Sequence, residues 1–306
     1  MNKKSKGILD SSFFIFVMLT FLTACTPTEE VEIAPPIESE PKEMEDPPVE
    51  EVAEVEEVAS KSITWENWYL SVPIDRGNGK ATSIGYQDII DEKLTAEESE
   101  YFYKNEDGTY TMWTKFTGFT TSGVSQLGDK YCRTELREYW RGNQDTNDNW
   151  SMATGVHILE STMQVNFVEG NGRTIVSQIH GKESPGISGN PATVKIRWNS
   201  GMIQIDHYTK PNEGDPWTSK YDNKVDFGRV DNELFTFKIK IEEGKLFCAL
   251  VCEEKDLDIP YTEIFDYVGN GYIHENYFKT GNYFGWHDDY DKAAQVVLHK
   301  VVTEHR

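Results

Sequence analysis

"LFTFKIKIEEGKLFCALVC" (residues 234–252) alternates apolar and polar side chains, turns on Glu-Glu-Gly, and then runs apolar again. A period of two puts Phe235, Phe237, Ile239 and Ile241 on one face, the pattern of a half-buried strand and not of a helix. Working outward, "TWENWYLSVPI", "GTYTMWTKFTGF", "TVKIRW", "MIQIDHY" and "AAQVVLHKVV" alternate or run apolar at the same length. Turn signals such as "RGNG", "NEDG", "EGNG", "NSG" and "GNG" separate them. Threonine, valine, isoleucine and aromatics dominate, as a pleated, half-buried surface favours. The best helical candidate is the short "TAEESEYFYKN" (95–105), and no internal repeat is visible. Many short strands with Gly-rich turns imply an all-β domain of two antiparallel sheets: a sandwich, jelly roll or barrel.

The N-terminus has a different grammar. Lys3, Lys4 and Lys6 precede the apolar run Phe13–Leu22, which ends on Leu22-Thr23-Ala24-Cys25. A basic start, a short apolar stretch and small residues form a secretory signal, and the run is too short for a stable membrane span. Its ending resembles the bacterial lipoprotein signal, which implies that Cys25 is lipidated and that residues 1–25 are the signal peptide. Thr26 after the cysteine, by the same resemblance, implies release to the outer membrane. Residues 26–61 hold twelve Glu and one Asp against two Lys, with prolines throughout and no aromatic residue. Such a segment buries too little apolar surface to offset its chain entropy, and its charges keep it extended. It reads as a tether for one folded domain, residues 62–306, long enough to bury a sizeable core.

The formal net charge of −22 leaves no basic stripe for nucleic acid to replace its counterions. Cys132, Cys248 and Cys252 remain in the domain. An odd number leaves at least one thiol free, and no pair has zinc-site spacing. Cys248 and Cys252 would share a strand face, too far apart to bridge.

Three strand-like segments carry polar residues on a single face. In "RTELRE" (133–138), Arg133, Glu135 and Arg137 point one way while Thr134, Leu136 and Glu138 point the other. In "SQIHG" (177–181), Gln178 and His180 point together. In "YFKTGNY" (277–283), Tyr277, Lys279, Gly281 and Tyr283 share a face, and Gly281 would leave room for a ligand. A solvated ion pair or an exposed sheet face explains each one alone.

Together, and in this order, they resemble the alginate lyase family of jelly-roll polysaccharide lyases. That family shows an R-(S/T)-E-L-R strand, a Q-(I/V)-H strand and a Y-F-K-A-G-x-Y strand, and "ENWYLSVPID" (66–75) is similar to its opening strand. The resemblance implies a β-jelly roll whose groove binds an anionic polysaccharide. It also implies endolytic β-elimination at a 4-linked uronate, most simply alginate, with no cofactor and no metal. Thr280 replaces the family's alanine and Phe284-Gly285 its Asn-Gln, which keeps ulvan and glucuronan open as substrates.

The chemistry explains the residue types. Removing the proton at C5 of a uronate places charge beside a carboxylate, which must be neutralised or hydrogen-bonded. Arg133 offers a planar cationic fork and Gln178 an amide donor. The resemblance assigns the proton for the leaving oxygen to Tyr283, with His180 or Tyr283 itself as base. Glu135 is expected to orient Arg133 and Arg137. Lys279 is expected to lower the Tyr283 phenol's pKa and hold a carboxylate, and Trp140 to stack on a sugar ring. A monomer is expected.

"NQDTNDN" (143–149) and "HDDYD" (287–291) invite calcium, but the first lacks an EF-hand's glycine and distal glutamate. His157, His207, His274 and His299 stand singly and read as structural. A reading from another class is a glycan-binding lipoprotein on a jelly roll without catalysis. Arg133, Gln178, His180 and Tyr283 together argue against it, because a binder needs no acid or base.

Overall fold

Two antiparallel sheets form the domain in the computed structural model, which describes residues 63–188 and 191–306. The expected signal peptide, Cys25 and linker lie outside the described residues. In the first sheet the spatial order is Asp222–Arg229, Met202–Tyr208, Ala192–Asn199, Arg173–Gly181, Glu275–Phe284, Arg133–Glu138, Trp68–Asp75 and Ala81–Gly85. Trp150–Ser151 adds a short pairing to Glu275–Phe284. The second sheet runs Leu257–Asp266, Lys245–Cys252, Phe235–Glu242, Val156–Val168, Ala293–His305, Tyr110–Lys115 and Phe102–Lys104. Strands distant in sequence lie side by side in both sheets, the crossover pattern of a jelly roll.

Alternation builds the core. Phe235, Phe237, Ile239 and Ile241 are buried, and they join Leu70, Leu136, Ile179, Phe278, Met163 and Val296 in one cluster between the layers. Burying a side chain of this size contributes roughly 1.5–3 kcal/mol, so the sandwich is held mainly by this layer. Its middle is not wholly apolar. Asn282 donates to the carbonyls of Met112 (3.0 Å) and Ala294 (2.9 Å) and accepts from Thr174 (2.8 Å). Thr280 meets Ser161 and donates to the Val176 carbonyl. These groups are paired, as burial requires.

The expected helix is shorter than its pattern suggested. Thr95 caps Ala96–Tyr101 through a reciprocal capping box with Glu98, after which Phe102–Lys104 joins the second sheet as an edge strand. Tyr101 and Phe102 are needed in the core, so packing ends the helix early. Cys132, Cys248 and Cys252 are all buried and free.

Candidate active site

Sheet order places the three polar segments side by side. Glu275–Phe284 lies between Arg173–Gly181 and Arg133–Glu138, with Gln178 opposite Lys279, His180 opposite Tyr277, Arg137 opposite Lys279 and Arg133 opposite Tyr283. Directly paired residues share a face, so these side chains converge on one side of the sheet. All of them but Gln178, which is buried beneath, line a cleft of about 550 Å³ with Tyr69, Ser71 and the segment carrying Thr120, Ser122, Lys130 and Tyr131.

Glu135 is the anchor beneath the cleft. It is fully buried, and its carboxylate accepts from Arg133 Nη1 at 2.9 Å and takes close contacts from Lys279 Nζ and Gln178 Nε2. Burial works against its charge, yet Lys279 and Arg133 outweigh this and hold the carboxyl below its ordinary range. Lys279 gains less: burial and the Arg133 charge pull its ammonium down to about 8. Arg133 stacks its guanidinium on the Tyr283 ring, 3.7 Å from the centroid, and its Nε is buried without a partner. A carboxylate entering the cleft would meet a cation already fixed in orientation.

Glu135 therefore orients Arg133, Lys279 and Gln178, and not Arg137. The Arg137 fork donates to the carbonyls of Glu138 and Thr146 and to Asn149 Oδ1, and lies over the Tyr277 ring at 4.0 Å. Nor does Lys279 approach the Tyr283 hydroxyl as a partner, since its ammonium is committed to Glu135. Among the described residues the Tyr283 hydroxyl has no hydrogen-bond partner, so it is free to meet a substrate.

His180 sits at the other side. Its Nδ1 lies 3.2 Å from the Gly181 carbonyl and 2.9 Å from the Tyr277 hydroxyl. A carbonyl only accepts, so the ring's proton belongs on Nδ1, leaving Nε2 as the free lone pair. Burial, then the charges of Lys279 and Arg133, push the imidazole down to about 3, so it stays neutral. A neutral ring with a bare nitrogen is the form a base requires. Tyr277, pushed up to about 12 chiefly by burial, stays a phenol.

Several expectations are displaced by packing. Trp140 lies apart from the cleft; it lines another depression with His157, His305 and Arg306, one ring face covered by Arg141 at 3.9 Å. Thr280 and Phe284 are buried on the strand's inward side, and Gly285 is buried with its N–H on the Arg173 carbonyl at 2.9 Å, so none of the three lines the cleft. Gly281 does not make room for a ligand. Its φ is +140°, and a Cβ there would meet Thr134 O at 2.8 Å and Met112 Sδ at 2.8 Å. The protein's own atoms demand that glycine.

Tyr69, Tyr131 and Tyr277 line the cleft without having been singled out as site residues. Tyr277 shares a face with Lys279 and was legible; Tyr69 becomes so only once its pairing with Arg137 is known. The register also extends the polar row from Arg137 through Lys279 and Gln178 to Lys195, Asp206 and Lys224. Among the described residues no group of three or more His, Cys, Asp or Glu is arranged to hold a metal.

A family model described as alginate lyase matches residues 63–305. Among solved structures, the chain is similar to the alginate lyase from Klebsiella pneumoniae, with 21% identity, 80% of this chain and 97% of that one covered, and a TM-score of 0.62. Alginate lyase A1-II′, a member of polysaccharide lyase family 7, gives 22%, 79%, 95% and 0.59. An alginate lyase from Pseudomonas aeruginosa gives 18%, 80%, 100% and 0.59. At these identities the structural likeness is one of fold. No match was found among curated proteins.

Proposed function

This chain belongs to the alginate lyase family of polysaccharide lyases, and on that premise we propose that it cuts a 4-linked uronate polymer, alginate first, by endolytic β-elimination. The observation that carries the reading is Glu135 holding Arg133, Lys279 and Gln178 beneath a cleft whose rim offers a free phenol and a neutral imidazole.

In this scheme the substrate carboxylate lies against Arg133 and Lys279, where cationic donors stabilise the charge that develops when C5 loses its proton. His180 Nε2 takes that proton, or Tyr283 takes it as a phenolate and so regains its hydroxyl, according to which face of the ring carries it. The Tyr283 hydroxyl delivers a proton to the departing O4, and the C4–O4 electron pair leaves with that oxygen. A C4–C5 double bond remains. Nothing in the balance calls for a cofactor.

The polar row that continues past Lys279 and Gln178 to Lys195 and Asp206 supports internal cutting, because it offers a long chain charged contacts beyond the cleft. Lys195 and Arg197, paired with Asp206, lie along it. Location completes the proposal: Cys25 carries a lipid at the outer membrane, and residues 26–61 hold the domain away from the surface. Cys25→Ser should then release an active protein from the membrane fraction; wild type recovered wholly in the medium would contradict the anchor.

Incubating the domain with alginate, glucuronan and ulvan, and following ultraviolet absorbance of the unsaturated uronate, tests the reaction and ranks the substrates. A rise on alginate with a rapid fall in viscosity supports the reading. Absence of a rise on all three rejects it.

A further inference from the structure

Glu138 faces away from the cleft and takes no part in the scheme above, yet it is fully buried and carries more contacts than packing needs. Its Oε2 accepts from the Phe278 backbone N–H at 2.9 Å and from Trp150 Nε1 at 3.1 Å. Its Oε1 lies 2.8 Å from His305 Nε2; His305 Nδ1 lies 2.9 Å from His157 Nδ1; His157 Nε2 lies 2.8 Å from the Thr154 carbonyl.

The Phe278 contact sits at a gap in the ladder. Along one edge of Glu275–Phe284, Asn276 pairs with Trp150 and Lys279 with Arg137. Phe278, left between the two partners, donates to a side chain where a strand carbonyl would normally stand. Its neighbours on either side are Tyr277, which bonds His180, and Lys279, which pairs with Glu135.

Proton counting describes the rest. The Thr154 carbonyl only accepts, so His157 Nε2 carries a hydrogen. The Nδ1–Nδ1 contact needs one proton, and the His305–Glu138 contact needs another. Three protons therefore serve two imidazoles and one carboxyl, which makes the trio neutral overall with each contact filled once. A fourth proton would put two hydrogens into one contact, and loss of one would oppose two lone pairs. Burial, then the neighbouring His305, hold His157 below its ordinary value, consistent with a neutral ring there.

We propose that Glu138 is a positioning residue: through its chain with His305 and His157 it fixes the Tyr277–Lys279 segment, and with it the partners of His180 and Glu135. The other charged groups packed around the chain are Arg137, whose Nη1 donates to the Glu138 carbonyl, and Arg141 and Arg306, which rim the depression beside His305. The effect on turnover rests on the lyase reading; the effect on the strand does not.

The test compares Glu138→Ala, Glu138→Gln and His305→Ala by hydrogen–deuterium exchange across residues 275–284 and by kcat/KM on the polymer the wild type cuts. Glu138→Ala should speed exchange in that strand and lower kcat/KM by roughly tenfold or more, through misplacement of the cleft groups. Glu138→Gln should restore both near neutral pH. Its carbonyl accepts from Phe278 and Trp150, and its amide donates to His305 Nε2, completing a chain with two neutral imidazoles. If Glu138→Ala does not fold, His305→Ala carries the test, with faster strand exchange and lower kcat/KM expected. Wild-type exchange and turnover in a folded Glu138→Ala, or in His305→Ala where the first does not fold, would overturn the proposal. Should no polymer be cut, the exchange comparison still decides it, separately from the failure of the lyase reading.

Discussion

Arg133 lies over Tyr283, its guanidinium carbon 3.7 Å from the ring centroid, while Nη1 is held by Glu135 at 2.9 Å. The cation is thereby locked between a carboxylate and a ring, at the position where the proposed reaction would place a substrate carboxylate. A lysine has neither the planar face to cover the phenol nor the fork to bind two groups at once. Arg133→Lys should lower kcat/KM by about 10²-fold, measured as initial rates on the preferred polymer, with the fold unchanged by circular dichroism.

Glu135 stabilises the floor by keeping two cations apart. Glu135→Gln would leave Arg133 and Lys279 buried with no counter-charge, and breaking a buried pair typically costs about 3–5 kcal/mol. Urea titration at neutral pH should show a loss of that order. The pH dependence has a definite sign. The folded carboxyl titrates below its ordinary range, so its contribution is present above the unfolded carboxyl's range and is lost as pH falls through the folded value. The variant's stability should be flatter across that acid window.

Lys279 sets the alkaline side. Its ammonium titrates near 8 in the free protein, so the charge is present below that pH and lost above it. kcat/KM, which reports the free enzyme, should fall as pH rises through about 8. A bound uronate restores negative charge beside Lys279, so the matching limb in kcat should lie higher. Lys279→Arg keeps its charge, and should move the kcat/KM limb upward by a unit or more. A limb that stays in place would assign that titration to another group.

Much of this was legible in the residues because alternation is strict where a strand has one buried face. Phe235–Glu242 was readable for that reason; the three polar strands, largely buried on both faces, were readable because polar groups recur at every second residue, and those side-chain directions hold in the structure. Edge strands were not. Asp222–Arg229 and Leu257–Asp266 are largely exposed and carry charge on both faces, with Pro260 in the second, so they lack a core-facing rhythm. Val156–Val168 hides its inward face behind His157 and Ser161, both buried as partners of other polar groups.

At the site, the three motifs singled out Arg133, Gln178, His180 and Tyr283, and the structure sets their strands side by side, but the motifs do not say who holds whom. That Glu135 pairs with Lys279 while Arg137 turns to backbone carbonyls depends on sheet order, which no single strand encodes.

Trp140 failed for the same reason. It follows the arginine strand by two residues, yet the chain has already left the sheet there and one face of its ring is covered by Arg141. Trp140→Ala should therefore leave KM for the polymer within about twofold, whereas a sugar-stacking tryptophan would cost ~1 kcal/mol or more of binding.

The central claim is elimination assisted by Tyr283, and the mass of the first products tests it most directly. Wild-type protein and Tyr283→Phe are incubated with alginate oligomers and analysed by mass spectrometry. Removing the free hydroxyl should lower kcat by ~10²-fold or more with little change in KM, since that interaction forms mainly in the transition state. In wild type the two fragments of each cut should sum to the mass of the oligomer, the reducing-side fragment carrying the unsaturated residue at its new non-reducing end, and Tyr283→Phe should yield almost none. Fragment pairs that sum to the oligomer plus one water, or undiminished cutting by Tyr283→Phe, would contradict the account.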